Sequence, residues 1–503
     1  MEEIIKYLDK LKEELEKTPK VEVKEIGRVI KFQDLVIFFD GLDEAFLGEV
    51  VEILSAEGKI KGKAMILAIY EDSVGGILLS GQNIKEGDLA KRTQQIISIP
   101  VGKNFLGRVI NPLGEPIDGL GEIVPDDFYP IERPAPSVLV REPVKEPLHT
   151  GIKAIDSMIP IGRGQRELIL GDRQIGKTSI VLDTILHQKY EEKPVYCIYV
   201  AIGQKMSKIK RLVKILKENG AMPYTTVVVA SSSDSAALQY LAPYSGCSLG
   251  EYFRDQGQDA LVIYDDLTKH AWAWREVSLL LKRPAGREAY PGDVFYLHSR
   301  LLERAAKLKD GGSLTALPII ETQLGDITSY IPTNVISITD GQIYLEADLF
   351  YQNFRPAINI GLSVSRVGSS AQTKAVKKVT GMLRLELAKF RELQAFLQFA
   401  SELDEATQKK LKHGQVLLEI LKQKNFQTLT FDKLTCLLWT ATSGYFDEFP
   451  LEEIKNIEKE FLNELNNQDF LQEIKQTKDF TPQIEEKLKN FTINFISRYK
   501  KTI

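Results

Sequence analysis

The octapeptide Gly171-Asp172-Arg173-Gln174-Ile175-Gly176-Lys177-Thr178 satisfies the phosphate-cradling pattern G-x-x-x-x-G-K-S/T at every fixed position. Its glycines let successive backbone N–H groups turn toward an anion, and the helix N-terminus that should follow adds partial positive charge. Lys177 can reach the outer phosphates, and the Thr178 hydroxyl can ligate magnesium. The residues therefore predict a site for ATP or ADP with Mg2+. A second run, Leu261-Val262-Ile263-Tyr264, ends in Asp265 and Asp266. A carboxylate at such a strand end can position the metal through water, and Asp265 is the candidate; the ordinary use of an Asp pair there is a helix cap or turn. Hydrolysis further needs a group that takes or orients the proton of the attacking water. The run Tyr196 to Ile202 leads into Gly203-Gln204-Lys205. Gln204 can hydrogen-bond water but cannot accept its proton, so a site built around it should hold nucleotide and turn over poorly. The alternative is that Gln204 is an ordinary loop residue.

The elements that must position these residues are legible in the flanks. Leu168-Ile169-Leu170 before the loop and Ile180-Val181-Leu182 after it predict a buried strand joined to a helix. Further apolar runs at 195–202, 226–230 and 260–264, separated by helical stretches, point to a parallel sheet with crossover helices. Residues 21–100 instead show short apolar runs punctuated by Gly and Asp, such as Leu35-Val36-Ile37-Phe38-Phe39, which suggests a small antiparallel barrel or sandwich. Ile4, Leu8, Leu11 and Leu15 draw one stripe on a short N-terminal helix. After Thr373 the chain turns helical: Met382, Leu383, Leu385, Leu387, Phe390, Leu393, Phe396 and Leu397 recur at helical intervals. Ile454, Ile457, Phe461, Leu465 and Ile474 continue that style.

Composition excludes several classes. The chain has 503 residues, 43% hydrophobic and 27% charged, enough for about three globular domains. With 65 basic against 69 acidic residues there is no global field to draw in nucleic acid. Three scattered cysteines, Cys197, Cys247 and Cys436, read as core residues, not a disulfide framework. The five histidines lack metal-ligand spacing, and no serine sits in a nucleophile elbow. The start lacks signal-peptide order and no run is long enough to span a membrane, so membrane association is expected only through partners.

Longer segments then resemble one family. Thr150-Gly151-Ile152-Lys153-Ala154-Ile155-Asp156 and Ile161-Gly162-Arg163-Gly164-Gln165-Arg166-Glu167-Leu168, running into the phosphate loop, are similar to the alpha subunit of F-type ATP synthases. So are Tyr264-Asp265-Asp266-Leu267, the stretches 283–293 and 332–341, and above all Arg355-Pro356-Ala357-Ile358-Asn359-Ile360-Gly361-Leu362-Ser363-Val364-Ser365-Arg366-Val367-Gly368. The likeness is dense over 106–415. It implies an N-terminal helix (1–20), a β-barrel domain (21–95), a RecA-like α/β nucleotide domain with a mostly parallel sheet (96–372) and a C-terminal α-helical domain (373–503).

The resemblance also implies a ring of three alpha and three catalytic beta-type subunits around a gamma-type shaft. Peripheral-stalk subunits of delta or b type would dock at the N-terminal end, and the assembly would sit on the cytoplasmic face of the cell membrane. The alpha sites of such rings bind Mg-ATP with little hydrolysis, and Gln204 matches the residue that replaces the beta glutamate. Arg366 falls on the arginine finger that acts in trans on the neighbouring site, where a planar, permanently charged fork suits phosphoryl oxygens. Arg173 and Gln174 match nucleotide contacts, and Phe350 and Arg355 match positions near the adenine. The stretch 283–293 matches part of the sleeve around the shaft. Two departures stand out. Ile175 replaces a hydroxyl residue, and the family's Gln-x-Gln near the base appears as Gln423-Lys424-Asn425. A diverged rotary ATPase whose torque serves a process other than ion-coupled ATP synthesis is the alternative within the same architecture. A self-sufficient ATPase is disfavoured by Gln204. A hexameric RNA translocase is disfavoured by an acidic N-terminal segment with no basic-aromatic interleave.

Overall fold

A computed structural model describes residues 26–381, 383–396 and 404–502. The expected helix over residues 1–20 lies outside them, as do Met382 and Leu397. The chain divides into two compact units, Met1–Ile97 and Ser98–Ile503.

In the first unit, β1 (Ile26–Gln33), β2 (Val36–Asp40), β3 (Glu49–Leu54), β4 (Ile60–Ile69), β5 (Val74–Gly81) and β6 (Leu89–Ile96) close a barrel in the order β1-β2-β5-β4-β3-β6. All its neighbours are antiparallel. Alternating side chains point inward, as the two-residue period of a strand requires. Val29, Ile37, Phe39, Val51, Ile53, Ile66 and Val74 fill the interior. Buried Glu49 accepts from Arg92 Nε at 3.1 Å, so the carboxylate is not left uncompensated. Barrel rather than sandwich was decided by the pairing of β1 with β6, which brings Ile26 opposite Lys91. Such closure satisfies the strand edges that a sandwich leaves open.

In the second unit, β7 (Ser98–Val101) and β9 (Asp127–Pro130) form a small antiparallel pair. The main sheet is built from β8 (Val109–Ile110), β10 (Leu168–Gly171), β11 (Val195–Gln204), β12 (Thr225–Ser231), β13 (Asp259–Asp265), β14 (Ser313–Glu321), β15 (Gly341–Tyr344) and β16 (Val364–Ser365). Its order is β16-β15-β10-β14-β13-β11-β12-β8. Every neighbour is parallel except β15 with β16. The strands β12 and β13 are buried at every residue, which is why they read as unbroken apolar runs. Parallel pairing has one functional consequence. The C-terminal residues of four adjacent strands, Gly171, Glu321, Asp265 and Gln204, come to one edge, where ligands bind in sheets of this kind.

Among the described residues, seven α-helices between Lys374 and Thr502 make up the expected helical region. Leu383, Leu387, Ile454, Ile457, Phe461, Leu465 and Ile474 are buried in a core continuous with that of the sheet, and Phe390 is buried as well. Leu385 is the exception, 47% exposed, because two residues on from Leu383 a helix has turned to its opposite face. The three cysteines are buried and free. Among the described residues no helix is long and apolar enough to cross a membrane.

Candidate nucleotide-binding site

The phosphate loop leaves β10 and enters the helix Lys177–His187. Gly171 has φ +151°, and a Cβ there would lie 2.6 Å from the Leu345 carbonyl oxygen, so only glycine fits. Gln174 (φ +64°) and Gly176 (φ +106°) continue the left-handed turn. Asp172 pins the loop by accepting from Thr322 Oγ1 at 2.6 Å and from the Gly325 N–H. Ile175, where the family has a hydroxyl, is buried against the core. Lys177 curls back so that its ammonium donates to the carbonyls of Gly171 and Asp172, both at 2.5 Å. Burial draws its pKa below the usual lysine range.

Thr178 and Asp265 do converge. The Thr178 hydroxyl donates to Asp265 Oδ2 at 3.0 Å, and the Tyr199 hydroxyl donates to the same oxygen at 2.5 Å. A hydroxyl and a carboxylate side by side form the hard oxygen set that magnesium prefers. The two aspartates divide the two roles open to them. Asp265 faces the loop, while Asp266 caps the helix Leu267–Leu280 by accepting from the Lys269 N–H at 2.9 Å. Burial pushes the Asp266 carboxyl up to about 6 against the pull of its Lys269 ion pair.

Gln204 lies in the same cluster, 6% exposed. Its Nε2 donates to Asp265 Oδ1 at 2.9 Å and more weakly to Asp266 Oδ2 at 3.4 Å. Its Oε1 accepts from Lys208 at 3.0 Å. It is thus tied to Asp265, the candidate metal acid, rather than standing free at the strand end. Two participants escape sequence reasoning. Glu321, at the end of β14, accepts from Arg173 Nε at 2.9 Å and lies 3.6 Å from Lys269. Lys208 stands four residues beyond Gln204, in the first turn of the helix Met206–Glu218, close enough in sequence that it could have been marked.

Beside the loop, a cleft is lined by Ile152, Ile175, Ile180, Leu345, Phe350 and Pro356 among others, the mostly apolar wall with a few polar groups that a small molecule needs. The residues expected near the base, Phe350, Arg355, Gln423 and Asn425, are all at its wall, together with Gln174 of the phosphate loop. The Arg355 guanidinium lies 4.5 Å from the Phe350 ring centroid, a cation–π stack that holds both. Gln423 is spent on the backbone. Its Oε1 accepts from the Lys153 N–H, and its Nε2 donates to the Gly151 and Gln427 carbonyls. Asn425 reaches Ser179 Oγ at 3.4 Å, a weak contact. Sequence reasoning also passed over Asp183, a cleft residue whose Oδ1 accepts from the Phe426 N–H at 2.7 Å. Burial lifts its carboxyl to about 6.

Arg366 is separated from all of these. It follows β16, whose Ser365 pairs with Gly341 at the N-terminal end of β15, so it sits at the far end of β10 from the phosphate loop. Its N–H donates to the Asp340 carbonyl at 2.8 Å and its side chain is exposed. Nearby buried Glu167 has its carboxyl raised well above the ordinary range by desolvation and Asp340, which the Arg366 charge partly offsets. The stretch 283–293 is anchored through its arginines and aromatics: Arg283 over Trp274 at 4.9 Å, Arg275 over Tyr290 at 4.6 Å and Arg287 over Tyr330 at 5.2 Å. Among the described residues no cluster of His, Cys, Asp and Glu could itself hold a metal ion. A phosphate-loop site needs none, since substrate oxygens and water complete the shell.

Comparison with known proteins adds an independent finding. Residues 151–365 match the ATP synthase alpha/beta family, nucleotide-binding domain, and residues 372–495 match the ATP synthase alpha/beta chain, C terminal domain. The ATP synthase subunit alpha of Petrotoga mobilis is 56% identical over 486 residues, covering 95% of this chain and 96% of the relative. That of Aquifex aeolicus is 57% identical over 477 residues, covering 94% and 93%.

Proposed function

Since this chain belongs to the ATP synthase alpha/beta family, with alpha subunits among its near relatives, we propose that it is the non-catalytic, regulatory nucleotide subunit of an F-type rotary ATPase. It holds Mg-ATP in its own cleft and lends Arg366 to a neighbouring catalytic subunit. The observation that carries this reading is Gln204. An amide stands beside the metal acid where proton abstraction would need a base, and both its ends are engaged. The other carboxylates at that edge are committed as well, Asp266 to its cap and Lys269, Glu321 to Arg173.

Thr178 and Asp265 would hold the magnesium, which supplies charge neutralisation to the phosphates when bound. The loop N–H groups orient those phosphates, while Phe350, Arg355 and the apolar cleft wall receive the base. The exposed rim position of Arg366, remote from its own loop, supports action across a subunit boundary. In this reading the partners are a beta-type subunit in an alternating ring of six, a gamma-type shaft and stalk subunits. The chain reaches the cytoplasmic face of the membrane only through other subunits.

The test is equilibrium binding and turnover by the purified full chain. It should bind ATP with magnesium, lose that binding on Lys177→Ala, and hydrolyse far more slowly than the assembled complex. Turnover by the chain alone at a rate comparable with the complex would overturn the reading.

A further inference from the structure

The Lys208 ammonium stands among the oxygens that the proposed magnesium site would use. It donates to Thr178 Oγ1 at 3.2 Å, to Gln204 Oε1 at 3.0 Å and to Asp265 Oδ2 at 3.4 Å. These acceptors come from three separate elements: the start of the helix after the phosphate loop, the end of β11 and the end of β13. An ammonium has three N–H donors on a flexible stem, so it can meet three converging oxygens much as a small hard cation does. We propose that Lys208 is a tethered cation for the metal position, compensating Asp265 until Mg2+ arrives and then yielding the oxygens to it. The proposal rests on the nucleotide reading above and deepens it.

Two further observations favour exchange over a fixed structural bond. The Asp265 side chain is 4% exposed whereas that of Lys208 is 45% exposed. The carboxylate is therefore confined, while the ammonium can leave for water with little packing lost. Moreover, Lys177 cannot serve Asp265 in this arrangement, because its ammonium is bound to the Gly171 and Asp172 carbonyls. The remaining partners of Asp265 are neutral donors: Tyr199, Thr178 and Gln204. Among the described residues, Lys208 is thus the cation that contacts Asp265. It is a positioning residue, acting on the affinity for the metal and through it on the nucleotide.

The consequence is competition. A resident ammonium should weaken Mg2+ binding and, by remaining when the metal is withheld, soften the penalty for binding metal-free ATP. The experiment measures the dissociation constant of ATP for the full chain in excess Mg2+ and in a chelator, for wild type, Lys208→Met and Lys208→Arg. Lys208→Met keeps the aliphatic stem and removes the charge. It should raise the ratio of the chelator value to the magnesium value by roughly three- to tenfold, the scale of a partly exposed charge pair. Lys208→Arg should stay near the wild-type ratio. An unchanged ratio in Lys208→Met, with both constants moving together, overturns the proposal. A second readout needs no nucleotide: Mg2+ alone should raise the melting temperature with a lower half-effect concentration in Lys208→Met than in wild type. A concentration that is unchanged or higher counts against the proposal. If wild type fails to bind ATP in either condition, the nucleotide reading fails, and the magnesium titration still decides the role of Lys208.

Discussion

Gln204 is the residue on which the proposed function turns, and its neighbours make its identity testable. Its Nε2 donates to Asp265 and Asp266, both almost wholly buried. Gln204→Glu would remove those donors and set a third carboxylate beside two others. We expect a loss of about 1–3 kcal/mol in urea unfolding at pH 8, softened by the nearby Lys208. Stability equal to wild type would refute that reading of the cluster. Asp183 carries a pH signature. Its carboxyl titrates near 6 in the folded chain against an ordinary value of 3.8. Because the folded value is raised, the unfolded chain ionises first as pH climbs, so stability is lost between roughly pH 4 and pH 6 and stays lost above. Asp183→Asn keeps an oxygen for the Phe426 N–H. It should raise the stability at pH 7 relative to that at pH 4 by about 1–3 kcal/mol compared with wild type, read from urea midpoints at each pH. Lys177, Thr178 and Asp265 were legible because a phosphate loop states its own chemistry. The engagement of Gln423 was not, since its partners Gly151 and Lys153 lie far away in sequence.

At the level of elements, the site depends on how closely the helix Ala236–Asp255 lies on the sheet. Gly246 and Gly250 face it one helical turn apart. A Cβ at Gly246 would come within 2.3 Å of Val200 Cγ2 on β11, and one at Gly250 within 2.6 Å of Leu314 Cδ1 on β14. Alanine at Gly246 would gain about 1 kcal/mol of helix propensity yet force β11, the strand that ends in Gln204, to shift. Gly246→Ala should therefore be destabilising by about 1–2 kcal/mol net, and should weaken ATP binding by moving Gln204 and Lys208. Unfolding and binding measured on the same variant would show whether the two effects travel together. A glycine pair inside a helical stretch is visible in a sequence. Which strand it must admit is not.

For the whole molecule, the decisive feature is the distance that parallel topology puts between Arg366 and its own phosphate loop, at opposite ends of β10. Within a single chain the guanidinium has no phosphate to serve. Arg366→Ala should leave ring assembly and the nucleotide bound by this chain essentially unchanged while lowering hydrolysis by the complex by roughly a thousandfold or more. Native mass analysis and a turnover assay on the same preparation test both halves, and unchanged turnover would remove the trans role. From the sequence alone came the phosphate loop, its strand–helix setting, the candidate metal acid, an amide at the end of the neighbouring strand, and a helical region after a parallel sheet. These are local facts, written in spacing and side-chain type within a few residues. Only the tertiary structure decided that the first strands close into a barrel, that Gln204 and Lys208 meet Asp265, that Gln423 is consumed by the backbone, and that Arg366 lies at the far end of β10 from its own loop. Each depends on which distant strands become neighbours, and that choice is made by burying apolar surface across the whole fold.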